Sequence, residues 1–82
     1  MQLCRVTGNT VATVKADALS PFKLLRVRPD DGGGSEFVAV DGVGAGEGDL
    51  VLVALGTAAR ELEATRGVPT DATVVAIVDP SA

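Results

Sequence analysis

Histidine, tryptophan and tyrosine are absent from this 82-residue chain, which holds one cysteine and two phenylalanines. Without histidine, the commonest general base and the commonest metal ligand near neutral pH are missing. A single cysteine can form neither an internal disulfide nor a thiolate cage, so neither cross-links nor zinc organise the fold, and an unpaired thiol agrees with a reducing compartment. Positive charge is the minority: seven Lys and Arg against eleven Asp and Glu give a formal net charge of −4. Proteins that bind nucleic acid by neutralising phosphates usually carry the opposite sign. Long apolar runs are lacking too. The longest, Leu50 to Leu55, is far too short to span a membrane. Met1 to Gly8 carries no basic segment followed by an apolar one, so a secretory leader is not expected. Together these absences point to a soluble cytoplasmic protein with no catalytic residues, no metal, no cofactor and no membrane partner.

What the chain does contain is Val and Leu in short runs punctuated by Gly, Pro, Asp and Ser, an all-β pattern. Strands are expected over Leu3–Val14, Phe22–Arg28, Glu36–Asp41, Asp49–Leu55 and Ala72–Asp79, with Thr7-Gly8-Asn9 marking a bulge or bend in the first. Between the fourth and fifth strands the sequence predicts one short α-helix. Thr57 would be its N-cap, Ala58, Ala59, Leu62 and Thr65 its apolar stripe, and Glu61 and Arg66 complement its dipole. Gly67 and Pro69 then stop it. The expected fold is a single domain over residues 1–82, a small five-stranded barrel of the oligonucleotide/oligosaccharide-binding (OB) type with one short helix.

Strands four and five read LVLVAL and TVVAIV, apolar at successive positions rather than alternating. Both faces of such strands must be covered, and a chain this small has little to lay over the outer one. Another copy of the same chain is the economical cover. Burying ~400 Å² of apolar surface per subunit contributes about 10 kcal/mol before association costs, so a homo-oligomer is expected.

Individual motifs carry less. In Gly42-Val43-Gly44-Ala45-Gly46-Glu47-Gly48 the glycines alternate, no Lys-Ser/Thr follows, and Glu47 and Asp49 would repel a phosphate. A loop needing unusual dihedrals or close backbone approach explains it better. Asp30, Asp31 and Glu36 match no calcium-loop spacing and read as a solvated loop. Cys4 reads as a small buried hydrophobe. Arg60, in the first turn of the expected helix, is poorly placed for the dipole, which leaves two readings, an inter-subunit contact or a plain exposed arginine. The OB-like outline raises an alternative, a module binding single-stranded nucleic acid. That task uses aromatic platforms along a basic groove, and here only Phe22, Phe37 and the basic strand of Lys23, Arg26 and Arg28 are on offer.

Taken in order, several segments resemble the pentameric vertex proteins of bacterial microcompartment shells, found in carboxysomes and metabolosomes. They are Val11-Ala12-Thr13, Phe22-Lys23-Leu24-Leu25-Arg26-Val27, the block from Val38 to Gly46, Gly48 to Val53, Gly56-Thr57-Ala58-Ala59-Arg60, Pro69-Thr70-Asp71-Ala72 and Val74 to Asp79. Thr57 stands for the family's Ser, Ala76 for a usual Gly and Thr70 for a usual Val. The resemblance implies a structural protein without turnover: a homopentamer that caps the vertices of the polyhedral shell, inside the bacterial cytoplasm, against hexameric shell proteins. It also implies that the turn Gly56, Thr57, Ala58, Ala59 and Arg60 packs around the five-fold axis.

Overall fold

Short β-branched runs separated by turn residues close here into a ring of strands. In the computed structural model, which describes residues 1–79 and 81, these are β1 (Gln2–Thr10), β2 (Leu24–Pro29), β3 (Phe37–Asp41), β4 (Leu50–Leu55) and β5 (Ala72–Ile77). They form a closed barrel in the order β1-β2-β3-β5-β4, the OB arrangement. Every neighbouring pair is antiparallel except β3–β5, which is parallel and brief, with Val40 opposite Thr73 and Asp41 opposite Val74. The expected bulge is present, the β1–β2 register slipping between Val6 and Gly8.

Strand boundaries differ from expectation where a partner runs out. β1 ends at Thr10, opposite Leu24, rather than at Val14, because β2 offers no residue beyond Leu24 to pair with. Pro29 closes β2 instead of opening the loop, since the last position of a strand needs no further ladder donor.

Alternation sorts the side chains. Cys4, Val6, Leu25, Val27, Ala39, Val51, Val53, Ala72 and Val74 form the interior with Ala45 from the β3–β4 loop, and half-buried Phe37 packs against them. Val and Ala dominate because a five-stranded barrel leaves a narrow interior. Cys4 is fully buried, as a small hydrophobe would be, and burial, aided by Asp30 and Asp31, raises its thiol pKa.

The connection from β4 to β5 corrects the expected helix. Among the described residues it holds no α-helix but two 3-10 turns, Gly56–Arg60 and Glu63–Thr65, and a third lies at Asp17–Leu19. Leu55, not Thr57, precedes the first of these turns, and no side chain caps it. Extended Leu62 separates that turn from the next. The physical reason is tertiary. In an α-helix the Ala59 carbonyl would accept from the amide of residue 63; here it accepts from the buried Thr73 hydroxyl at 2.8 Å. Nucleating a helix is costly enough that one such competitor suffices in so short a segment.

This connection also lies over the outer face of the barrel at Ala54 and Thr73, which are both buried. Part of the cover that the apolar strands demand therefore comes from the chain itself. Leu3 and Ile77 stay exposed, and Leu52 half-exposed.

Candidate assembly surface

The glycine-rich loop after β3 is built around Asp41. Its Oδ1 accepts the backbone N–H groups of Val43 (3.1 Å), Gly44 (2.9 Å) and Ala45 (3.1 Å). Lys23 Nζ lies 3.6 Å from Oδ2 and donates to the Ala45 carbonyl. Asp49 Oδ2 accepts from Gly46 N at 2.8 Å. Successive amides like these are the groups that would cradle a phosphate; carboxylates of the chain already occupy them. Gly42 supplies the close approach expected of this loop. Its N–H donates to Val74 O at 3.0 Å, and a Cβ there would stand 2.7 Å from that oxygen. The loop is thus a stiff ledge beside β5.

At the other end of the barrel lies the turn Gly56–Arg60. Gly56 sits in the left-handed region (φ +64°), where glycine carries no steric penalty, and its N–H donates to Asp71 O at 2.8 Å. Thr57 and Ala58 are exposed, and Ala59 is buried. Arg60 is half-buried, its Nη1 donating to Thr70 O at 2.8 Å. It stands at the end of a 3-10 turn, not in the first turn of an α-helix, so the dipole argument for its position falls away. Its guanidinium ties the two ends of the connection together. Beside this turn Gln2, Phe37, Val38, Leu55, Asp71 and Ala72 line a shallow, mostly apolar hollow of about 440 Å³.

The remaining charged candidates are engaged elsewhere. Arg5 reaches Asp30 at 3.4 Å and Arg28 reaches Glu36 at 3.1 Å, while Asp31 accepts from Gly33 N at 2.7 Å. These carboxylates do not converge on a cation; among the described residues no group of three or more metal-ligating side chains gathers. Of the basic strand, Lys23 turns to the Asp41 loop, Arg28 to Glu36, and the Arg26 guanidinium lies over Gly8. With Phe37 packed on the core, neither a basic groove nor a stacking platform forms among the described residues, and single-stranded nucleic-acid binding finds no support. No helix among the described residues is long and apolar enough to cross a membrane.

Sequence reasoning missed the Asp41 and Asp49 latches, the Thr73–Ala59 bond and the hollow. Asp before a glycine run was the available signal for the first of these; the others join residues far apart in the chain.

A small OB-type barrel whose glycine loop is filled by its own carboxylates, and whose open features are an exposed turn and an apolar hollow, belongs to the class of structural and assembly modules. Comparison narrows the class. Residues 1–79 match the family model described as ethanolamine utilisation protein EutN/carboxysome. The chain is 42% identical to the shell vertex protein PduN of Salmonella typhimurium, over 96% of each chain. It is 45% identical to the carboxysome shell vertex protein CcmL of Synechocystis, over 96% of this chain and 83% of that one. Among solved structures, CcmL of Nostoc superposes with a TM-score of 0.87 at 42% identity, covering 96% of this chain and 89% of the other. The pentameric microcompartment shell protein GrpN of Rhodospirillum rubrum superposes at 0.78 with 43% identity, covering 96% and 93%. The chain belongs to the EutN/CcmL family of microcompartment shell vertex proteins.

Proposed function

We propose that five copies of this chain close into a ring that caps a vertex of a polyhedral microcompartment shell in the bacterial cytoplasm, with its rim meeting hexameric shell proteins. The observation carrying this reading is the match, at 43% identity and over 96% of the chain, to a relative described as a pentameric microcompartment shell protein. Physical chemistry agrees with it. A ring needs a heterologous interface, one patch meeting a different patch on the next subunit. The exposed apolar residues of this barrel are spread over distinct places, Val11 and Val14 after β1, and Val38 and Leu55 around the hollow.

In this reading the protein works by geometry rather than turnover, and no residue acts as acid, base or nucleophile. The turn of Gly56, Thr57, Ala58, Ala59 and Arg60 faces the five-fold axis, presenting exposed Thr57 and Ala58. Buried Ala59 and hydrogen-bonded Arg60 hold the turn in shape from behind.

The test is the mass of the protein in solution, by native mass spectrometry or by sedimentation with interference optics, since the chain lacks Trp and Tyr. Five times the 8.2 kDa chain, about 41 kDa, is expected. A stable monomer at micromolar concentration, or a closed ring of another number, refutes the reading.

A further inference from the structure

Among the described residues the most exposed large apolar side chains are Val11 and Val14, at 87% and 91%. They flank Ala12 and Thr13 in a stretch that forms neither helix nor strand, just beyond the end of β1. Little among the described residues covers them. At the opposite end of the barrel, where β1, β3 and β5 begin and β4 finishes, is the apolar hollow of Phe37, Val38, Leu55 and Ala72. The hollow sits at a seam. The β3–β5 register begins only at Val40. Asp41 N donates to Lys23 O, just ahead of β2, so alternation turns the backbone groups of Val40 and Val38 the other way, toward β5. Val38 therefore lies at an open edge ahead of the ladder, 46% exposed.

We infer that the Val11–Val14 segment of one copy docks in the hollow of the next, its valines against Phe37, Val38, Leu55 and Ala72 and its backbone along the open edge of β3. Three observations support this occupant. The segment is β-branched and lies outside every strand, as a short added strand must be. Projection and hollow stand at opposite ends of one barrel, so their union is head-to-tail, the kind of contact that closes a ring. The hollow also adjoins the turn assigned to the five-fold axis, because Leu55 and Asp71 flank and bond Gly56. This contact rests on the ring reading above and specifies how the ring is held.

The test pairs Val14→Cys with Val38→Cys in one chain under mild oxidation, with each single variant as control. Cys4 is buried and can stay. A covalent ladder reaching about 41 kDa on a non-reducing gel is expected for the double variant. Single variants should stop at the dimer. In parallel, a chain carrying Val11→Asp and Val14→Asp should lose the 41 kDa species while keeping its circular dichroism, because both positions are exposed in the isolated subunit. If the unmodified protein is a pentamer but the double cysteine variant gives no ladder, or if the aspartate variant stays pentameric, the docking proposal is overturned and the ring reading survives. A monomeric unmodified protein overturns both.

Discussion

Replacing Gly42 by alanine adds one methyl group at a place where the barrel has no room for it. The added Cβ would stand 2.7 Å from the Val74 carbonyl oxygen, 3.3 Å from Leu62 Cδ1 and 3.4 Å from Thr73 Cγ2. The nearest of these is backbone in the middle of β5, paired on its other side with β4, so it cannot swing aside as a side-chain tip would. Relief requires β3 and β5 to part, which lengthens the 3.0 Å bond from Gly42 N to Val74 O at the one parallel junction of the barrel. Overpacking of this kind costs about 1–3 kcal/mol. Weakening the hydrogen bond adds about 0.5–1.5 kcal/mol. Against a stability of roughly 5–15 kcal/mol for a small domain, a loss of about 2–4 kcal/mol is large. At about 4–8 °C per kcal/mol for a chain of this size, the midpoint should fall by roughly 8–32 °C. Thermal unfolding followed by far-ultraviolet circular dichroism at one protomer concentration measures it, because assembly makes the midpoint concentration-dependent. The control is Gly46→Ala in the same loop, where a Cβ meets nothing within 4 Å. That variant should unfold at the wild-type temperature or slightly above it. Equal midpoints for Gly42→Ala and Gly46→Ala would refute the claim that close approach, rather than loop flexibility, demands glycine at 42.

Asp41→Ala removes the acceptor of three loop amides and should cost about 2–4 kcal/mol, with hydrogen exchange at Val43, Gly44 and Ala45 rising more than in β1. Ala58→Glu places a new charge on the exposed turn assigned to the ring axis, where five copies would repel; native mass should shift below 41 kDa with the fold unchanged. A 41 kDa Ala58→Glu ring would argue against that placement. Cys4 has its pKa raised in the folded protein, first by burial and then by Asp30 and Asp31. The folded state therefore holds the thiol proton more tightly than the unfolded chain. That contribution to stability is complete below the ordinary thiol pKa and is lost as pH rises through the folded value. Denaturant midpoints should accordingly fall at alkaline pH, and less so in Cys4→Ala measured against its own neutral-pH value. Thiol reagents should label Cys4 quickly only in denaturant.

Much of this protein was legible before any coordinates. Turn residues between β-branched runs located all five strands to within a few residues, and Thr7-Gly8-Asn9 marked the β1 bulge. The motifs from Val38 to Gly46 and from Gly56 to Arg60 pointed to the family, because short segments at fixed spacing survive where overall identity is near 40%. These are local signals: alternation, turn chemistry and spacing are written along the chain. The segment from Thr57 to Arg66 shows where such signals stop. Its capping residue, its charges and its apolar spacing all favour an α-helix, and two 3-10 turns form instead.

That outcome was decided by residues fourteen and ten positions away, Thr73 donating its hydroxyl to the Ala59 carbonyl and Arg60 reaching Thr70. The same holds for the seam where β3 meets β5 and for the hollow beside Gly56. The amino-acid sequence alone determined the strands and the small-residue core, since these depend on residue type and near neighbours. Only the tertiary structure decided which carbonyl met which donor and which apolar side chains were left without cover, because those follow from barrel closure, which brings distant residues within hydrogen-bond reach.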